Sequence, residues 1–165
     1  MIDNPRNPQT DEVPDTAIPG VFHKTEKLLV ALLESASQAI VVSDRAGRIV
    51  LANRRTGEMF GYTPEELLGS AVDRLLPESK QAAHAASREK YFQHPQARPM
   101  GIGLDLAGRR KDGTEFPVEI GLSSVATDQG PFAIAFVSDI STRKAMEEQL
   151  MQAQKMEAVL SLIHI

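Results

Sequence analysis

The side chains best suited to chemistry in this sequence are four histidines, which lie far apart at positions 23, 84, 94 and 164. Imidazole acts as a general base, as the partner of a nucleophile or as a metal ligand. His23 and His94 have no neighbours at metal-ligand spacing, and the sequence contains no Ser-His-Asp set, no paired-carboxylate motif and no glycine-rich phosphate loop. Gly101-Ile102-Gly103 lacks the third glycine of a nucleotide fingerprint. We therefore predict no catalytic site in this chain, and its status as part of an enzyme stays open.

Cysteine is absent from the sequence. This excludes disulfides, cysteine–zinc sites and any cofactor that is held through a thiol. It also fits a reducing compartment, and we expect a cytoplasmic protein.

Composition predicts one ordinary domain with flanking segments, since the chain has 165 residues of which 42% are hydrophobic and 24% are charged. A net charge of -4 gives no electrostatic reason to expect nucleic acid or an anionic membrane as a partner.

No apolar run approaches the roughly 18 residues of a membrane span. Residues 1–20 carry four prolines among polar side chains and none of the features of a signal peptide, so we predict a flexible leader there.

The secondary-structure signals follow the order helix, β-hairpin, short helices, three long strands and a final helix. Leucines at helical spacing predict an amphipathic helix over residues 21–38, and a turn at Gly47 predicts a hairpin. Thr63 and Glu66 form a predicted capping box, and an alanine-rich helix ends before Pro95. Strands separated by one helical block predict an α+β fold with an antiparallel sheet.

Six short sequence words in a fixed order give this pattern a family resemblance. They are residues 44–50 (DRAGRIV), Asn53, 60–62 (FGY), 65–69 (EELLG), 108–113 (GRRKDG) with 116–119 (FPVE), and 139–141 (DIS). Together they resemble a PAS sensor domain over residues 34–141. The resemblance implies a five-stranded antiparallel sheet with a helical block between strands 2 and 3 that closes over a pocket. PAS domains hold haem, flavin or small metabolites there, or leave the pocket empty and serve as dimerisation and relay elements.

The resemblance leaves the cofactor open among these choices. The flavin branch that forms a covalent adduct needs a cysteine, so it is excluded. The stretch from residue 76 to 113 resembles the haem-binding segment of the oxygen-sensing PAS kinases of nitrogen-fixation control. In that resemblance His84 matches the iron ligand, which makes it a metal ligand only if haem is bound. The cationic positions near the haem propionates fall on Lys90 and Arg98, and the apolar distal wall falls on Ile120 and Leu122.

Two observations weigh against haem. The arginine that contacts oxygen in that branch falls on Leu104, and a histidine at this helix position also occurs in PAS domains without haem. The alternative is that His84 is a partly exposed helix residue.

The segment Asp139, Ile140 and Ser141 resembles the PAS relay motif at the junction between the sheet and the exit helix. Asp139 can accept hydrogen bonds from the first free N–H groups of that helix. We interpret it both as a helix cap and as a hinge residue.

The exit helix is predicted over residues 142–159 and carries a narrow apolar stripe of Met146, Leu150, Ala153 and Met156. The stripe either docks on the sheet of its own chain or forms a parallel two-helix coiled coil, and its narrowness favours the coil. We therefore expect a homodimer that forms through the flanking helices.

The segment QKMEAV, residues 154–159, resembles the sequence that leads into the phosphoacceptor helix of PAS-containing sensor histidine kinases. Residues 160–165 (LSLIHI) depart from the family pattern, and the DNA sequence CTGTCTCTTATACACATC encodes them. That DNA resembles a transposon-end adapter of sequencing libraries. We therefore expect a scar at the end of a truncated gene fragment and exclude His164 as the phosphoacceptor.

The functional hypothesis is the input module of a two-component phosphorelay. It would control autophosphorylation by a downstream kinase core, which transfers phosphate to a response regulator. The alternatives are a haem-based gas sensor with His84 as axial ligand, a constitutive dimerisation element with an empty pocket, and the input of another output domain such as a diguanylate cyclase.

Overall fold

The computed structural model describes residues 19–100 and 105–164, with side chains described from residue 24 to 99 and from 105 to 164. Residues 1–18, which make up most of the predicted leader, lie outside the described residues. The elements are α1 (Pro19–Ser35), β1 (Ala39–Asp44), β2 (Ile49–Ala52), α2 (Arg54–Phe60), α3 (Pro64–Leu67), a 3-10 helix (Val72–Leu75), α4 (Glu78–Gln93), β3 (Arg98–Met100), β4 (Leu106–Arg109), β5 (Glu115–Thr127), β6 (Gly130–Asp139) and α5 (Ser141–Ile163).

The chain divides into two units, and the second, Leu33–Ile165, contains the whole sheet. In the first unit the described residues are helical, and Leu28 and Leu29 are exposed. Helix α1 starts at Pro19 and ends at Ser35, whereas the sequence predicted residues 21–38. It starts early because proline is favoured in the first helical turn. It ends early because Asn53 donates from Nδ2 to the carbonyl oxygens of both Leu33 and Gln38, which draws the chain out of the helix.

The sheet is antiparallel throughout, in the order β2-β1-β6-β5-β3, and β4 also pairs with β5. The predicted α+β class and antiparallel sheet are therefore confirmed. Six strands occupy five positions, because the predicted third strand is described as two segments that both lie beside β5. Residues 101–104, between these segments, lie outside the described residues.

The hydrophobic core lies between the sheet and the helical block from α2 to the 3-10 helix. Its buried members are Ala39, Val41, Ile49, Met59, Phe60, Tyr62, Leu67, Leu75, Phe116, Val118 and Val137. Phe60 and Phe116 pack edge to face with their ring centroids 5.3 Å apart. Gly108 lies against both rings, where an added Cβ would come within 3.0 Å of each of them. This contact fixes α2 on the sheet. The space beside it, between the sheet and α4, is not filled by this packing.

Side-chain caps connect the helical block to the sheet. Asn53 Oδ1 accepts from the backbone N–H of both Thr56 and Ile40, so one buried amide caps α2 and holds β1. The predicted capping box of Thr63 and Glu66 at the start of α3 is confirmed. Within the described part of the chain, no helix has the length and apolar character that a bilayer crossing needs.

Candidate functional site

A cavity of about 480 Å³ lies between α4 and the sheet. This volume is within the range of small-molecule and cofactor sites. The sheet side is apolar and is formed by Val118, Ile120, Leu122, Ala133, Ala135 and Val137. The α4 side is more polar and is formed by Lys80, Ala83, His84, Ser87, Arg88 and Tyr91. An amphipathic molecule suits such a cavity, with an apolar face on the sheet and polar groups toward α4.

His84 is held by a carboxylate rather than left free on its helix. Its Nδ1 lies 2.6 Å from Asp73 Oδ1, and Arg88 Nη1 lies 3.0 Å from Asp73 Oδ2. All three side chains are largely buried, with exposures of 24% for His84, 20% for Asp73 and 16% for Arg88. Burial raises the pKa of Asp73, but hydrogen bonds and charge from His84 and Arg88 outweigh it, so its pKa lies below the ordinary value.

The structure brings four of the five predicted haem-contacting residues to one cavity. His84, Arg98, Ile120 and Leu122 line it, whereas Lys90 is exposed and does not. Arg98 lies with its guanidinium carbon 5.8 Å from the centroid of the Tyr91 ring. Leu104 lies outside the described residues.

The donor set fits a haem iron ligand, because Asp73 occupies one ring nitrogen of His84 and leaves Nε2 for coordination. Sequence reasoning missed Asp73 and Arg88. Arg88 follows His84 by four residues, a spacing at which two helical side chains lie on one face. Asp73 lies in a 3-10 helix that no sequence pattern predicted.

Asp139 joins the end of the sheet to the start of α5. Its Oδ1 accepts from the backbone N–H of Ser141 at 2.9 Å and from the Ser141 hydroxyl, and its Oδ2 lies 3.2 Å from Arg110 Nη2. The Ile140 N–H donates to the Pro117 carbonyl oxygen at 3.1 Å. The three predicted relay residues are therefore all bonded at this junction.

Arg110 extends the Asp139 contact into the helical block. Its Nε donates to the Met59 carbonyl oxygen at 3.2 Å, near the end of α2. Its guanidinium carbon lies 3.9 Å from the centroid of the Phe116 ring, which is a cation–π distance. One side chain thus contacts α2, the core of the sheet and the α5 junction. The sequence words included Arg110, but they gave no reason to pair it with Asp139.

Among the residues that the structure describes, the ion pairs between helix α5 and the sheet domain lie near the start of the helix. Arg143 pairs with Glu119 on β5 at 2.9 Å, and Lys144 pairs with Asp105 at 2.9 Å. The hydrogen bond from Lys144 lowers the pKa of Asp105. The predicted stripe of Met146, Leu150, Ala153 and Met156 is exposed along its whole length. Among the described residues, no group of three histidines or carboxylates could hold a metal ion by itself.

Known proteins share this architecture. A family model described as PAS fold matches residues 27–140. The chain belongs to the PAS family. This membership confirms the resemblance that the six sequence words indicated.

Two relatives of the chain are named as sensors. The sensor protein FixL of Bradyrhizobium diazoefficiens is 28% identical over 148 residues, which cover 90% of this chain and 28% of that protein. The oxygen sensor protein DosP of Escherichia coli is 26% identical over 138 residues, which cover 84% of this chain and 16% of that protein. The chain therefore spans less than a third of the length of either relative, and it corresponds to one part of each.

Solved PAS domains have the same fold. The PAS domain of an HTR-like protein from Haloarcula marismortui gives a TM-score of 0.64 at 23% identity, covering 74% of this chain and 97% of that one. A PAS domain from a two-component sensor histidine kinase gives 0.60 at 19% identity, covering 72% of this chain and 98% of that one. At such identities the likeness concerns the fold alone.

Proposed function

We propose that this chain is the cytoplasmic input module of a sensor histidine kinase, and that it relays a signal from the cavity or a dimer interface through α5. The observation that carries the proposal is the Arg110–Asp139–Ser141 cluster. Asp139 bonds the first residue of α5 with one carboxylate oxygen and Arg110 with the other. Arg110 in turn holds the end of α2 through Met59.

This cluster supports a relay because the α5 junction is bonded to an element that packs beside the cavity. Phe60, at the end of α2, lines the cavity, and Arg110 bonds the residue before it. A ligand in the cavity that contacts Phe60 would shift Phe60 and Met59, and therefore the position of Arg110. Asp139 would then hold α5 in a different direction. Such a ligand changes the populations of the two α5 orientations only if its affinity for the protein differs between them.

The kinase assignment is supported by the end of the chain and by the relatives. Residues 154–159 resemble the lead into a phosphoacceptor helix, and FixL is a sensor protein by name. In this proposal α5 pairs with its counterpart in a homodimer and continues into the kinase core. A change in its direction alters ATP-dependent autophosphorylation, and the phosphate passes to a response regulator.

The proposal is tested by fusing residues 1–159 in register to the dimerisation and ATP-binding domains of a sensor histidine kinase. Autophosphorylation is followed with radiolabelled ATP for the wild type and for Arg110→Gln and Asp139→Asn. We expect both variants to change the rate by at least about threefold in the same direction, because they break the same contact. Asp128→Asn, an exposed change in the β5–β6 turn, is the matched control. Rates equal to the control would contradict a relay through this cluster.

Haem sensing is the second candidate, favoured by the position of His84. His84 lines the cavity with Nδ1 held by Asp73, and the opposite wall is apolar. If haem is bound, its iron supplies the site for a gas ligand, while His84 would ligate it and Ile120 and Leu122 would exclude water. The visible spectrum of the chain purified with haem tests this. A Soret band that is absent, or that His84→Ala leaves unchanged, would remove His84 as the ligand.

A further inference from the structure

We propose that Asp73 is a positioning residue, which fixes His84 in the tautomer whose Nε2 offers its lone pair to the cavity. The inference rests on the proposed function in one respect, since it takes the cavity as the ligand site. Asp73 contributes no atom to the lining of that cavity, so its role is exerted through His84.

The tautomer follows from the contact between Asp73 and His84. Nδ1 of His84 lies 2.6 Å from Asp73 Oδ1, and an ionised carboxylate only accepts hydrogen bonds. The proton must therefore be on Nδ1, and in the neutral ring Nε2 carries the lone pair. Among the described residues, no protein group bonds Nε2. Nε2 can therefore either coordinate a haem iron or accept a hydrogen bond from an N–H or O–H group of an organic ligand.

Arg88 keeps Asp73 ionised and in place. It contacts both carboxylate oxygens, at 3.2 Å from Oδ1 and 3.0 Å from Oδ2. The backbone of Gly47 in turn confines the guanidinium, because a Cβ built at Gly47 would lie 2.5 Å from the Arg88 Cζ. The β1–β2 turn, the 3-10 helix and α4 thus meet at one partly buried carboxylate. Such an arrangement holds a ring orientation far better than a single exposed ion pair does.

The decisive measurement is the tautomer of His84 in the ligand-free full chain. Long-range ¹H–¹⁵N correlation spectra at about pH 9, where imidazoles are neutral, separate protonated from unprotonated ring nitrogens. His84→Gln identifies the His84 signals. In the wild type we expect Nδ1 protonated and Nε2 unprotonated. Asp73→Leu should convert this single form into a tautomer mixture, whereas Glu89→Gln, which removes an exposed ion pair of the same helix with Arg45, should leave it unchanged.

Loss of folding must not be mistaken for loss of positioning. Asp73→Leu leaves the Arg88 charge unpaired, so D73L/R88M is the second variant, since it removes both charges and avoids an unpaired buried cation. Far-UV circular dichroism confirms that each variant is folded. The inference is overturned if the wild type holds the Nε2–H form or a mixture. It is also overturned if the folded variants keep the wild-type tautomer.

Hemin binding distinguishes the two ligand chemistries. If haem is the ligand, Asp73→Leu and D73L/R88M should weaken hemin binding by about 10- to 100-fold, as is usual when the partner of a ligating histidine is lost. Glu89→Gln should bind like the wild type. If hemin does not bind the wild type, the haem candidate fails while the tautomer measurement still decides the role of Asp73. In that case Nε2 accepts a hydrogen bond from an N–H or O–H group of an organic ligand. If hemin binds through His84 and the Asp73 variants bind it equally well, positioning by Asp73 is refuted.

Discussion

Arg110 Nη2 lies 3.2 Å from Asp139 Oδ2, and this contact joins the β4–β5 turn to the residue whose other carboxylate oxygen bonds the first residue of α5. Asp139 is not the N-cap that we interpreted from the sequence, because Ile140 occupies that position and no side-chain bond caps the helix. Both side chains are partly buried, with exposures of 33% and 23%. The same carboxylate bonds the Ser141 N–H through its other oxygen. A single acidic side chain therefore links the stability of the helix start to the position of the turn.

Asp139→Ala should lower the free energy of unfolding by about 1–2 kcal/mol. It removes a bond to the start of α5, which is comparable to a helix cap, and leaves Arg110 without its charged partner. Urea denaturation followed by circular dichroism measures the change. Ser141→Ala, which loses only the hydroxyl bond, should have a smaller effect. Equal effects of the two substitutions would contradict the assigned role of the carboxylate.

The sequence predicted the architecture because each element has a local signal. Glycine turns, alternating strands and the Thr63–Glu66 capping box depend on neighbouring residues, and all of them recur in the structure. The end of α1 could not be predicted in this way. It depends on a hydrogen bond from Asn53, which is 20 residues from Leu33 in sequence. The spacing of hydrophobic residues along a helix does not predict such a long-range contact.

Gly47→Ala should destabilise the protein more than Gly69→Ala. Both glycines have positive φ angles, 81° and 79°, so both substitutions carry the strain of a left-handed backbone, about 1–2 kcal/mol. Only at Gly47 does the new Cβ meet another group, the Arg88 guanidinium at 2.5 Å, whereas Gly69 has open space. Because Arg88 must then leave Asp73, we expect a further loss of roughly 1 kcal/mol. Thermal denaturation of the two variants measures the difference, and equal melting temperatures would be inconsistent with this packing.

The candidate site was only partly visible in the sequence. Family resemblance led to two residues, to Asp139 through the sequence word 139–141 and to His84 through the stretch 76–113 that resembles a haem-binding segment. Asp73 was missed, and Arg110 was noted only as part of a sequence word and not as the partner of Asp139. Both contacts are formed by the fold between residues that lie 11 and 29 positions apart in the sequence. Lys90 was assigned by position alone. It is exposed and faces no part of the cavity lining, because the direction of a helical side chain depends on how α4 packs.

Glu66 should make stability depend on pH in the acid range. The hydrogen bond from Lys111, followed by that from the Thr63 N–H, holds the pKa of Glu66 below its usual value. A carboxyl with a lowered pKa in the folded state contributes stability above its unfolded pKa, near 4.3, and loses it as pH falls toward the folded value. The stability difference between wild type and Glu66→Gln should therefore shrink as pH falls from about 5. Denaturation at several pH values measures it.

Glu65→Gln is the control for that experiment, because Glu65 neighbours Glu66 and is exposed. Its difference from the wild type should change less over the same pH range. Added salt should also reduce the Glu66 effect, since the Lys111 side chain is 53% exposed and the ion pair is open to screening. A Glu66→Gln difference that stays constant down to about pH 3 would contradict the assignment.

Leu150→Glu should weaken self-association of the chain through α5. Leu150 is 60% exposed and lies between Met146 and Ala153 on the apolar stripe, so in the proposed coiled coil it packs against the second helix. A buried glutamate there is unfavourable, and we expect the dissociation constant of the dimer to rise at least about tenfold. Met151→Glu is the matched control, because Met151 is also apolar and 56% exposed but lies off the stripe. Sedimentation equilibrium over a concentration series measures both variants. Dimerisation that is equally strong in Leu150→Glu and Met151→Glu, or a wild type that stays monomeric at every concentration, would refute pairing through this stripe.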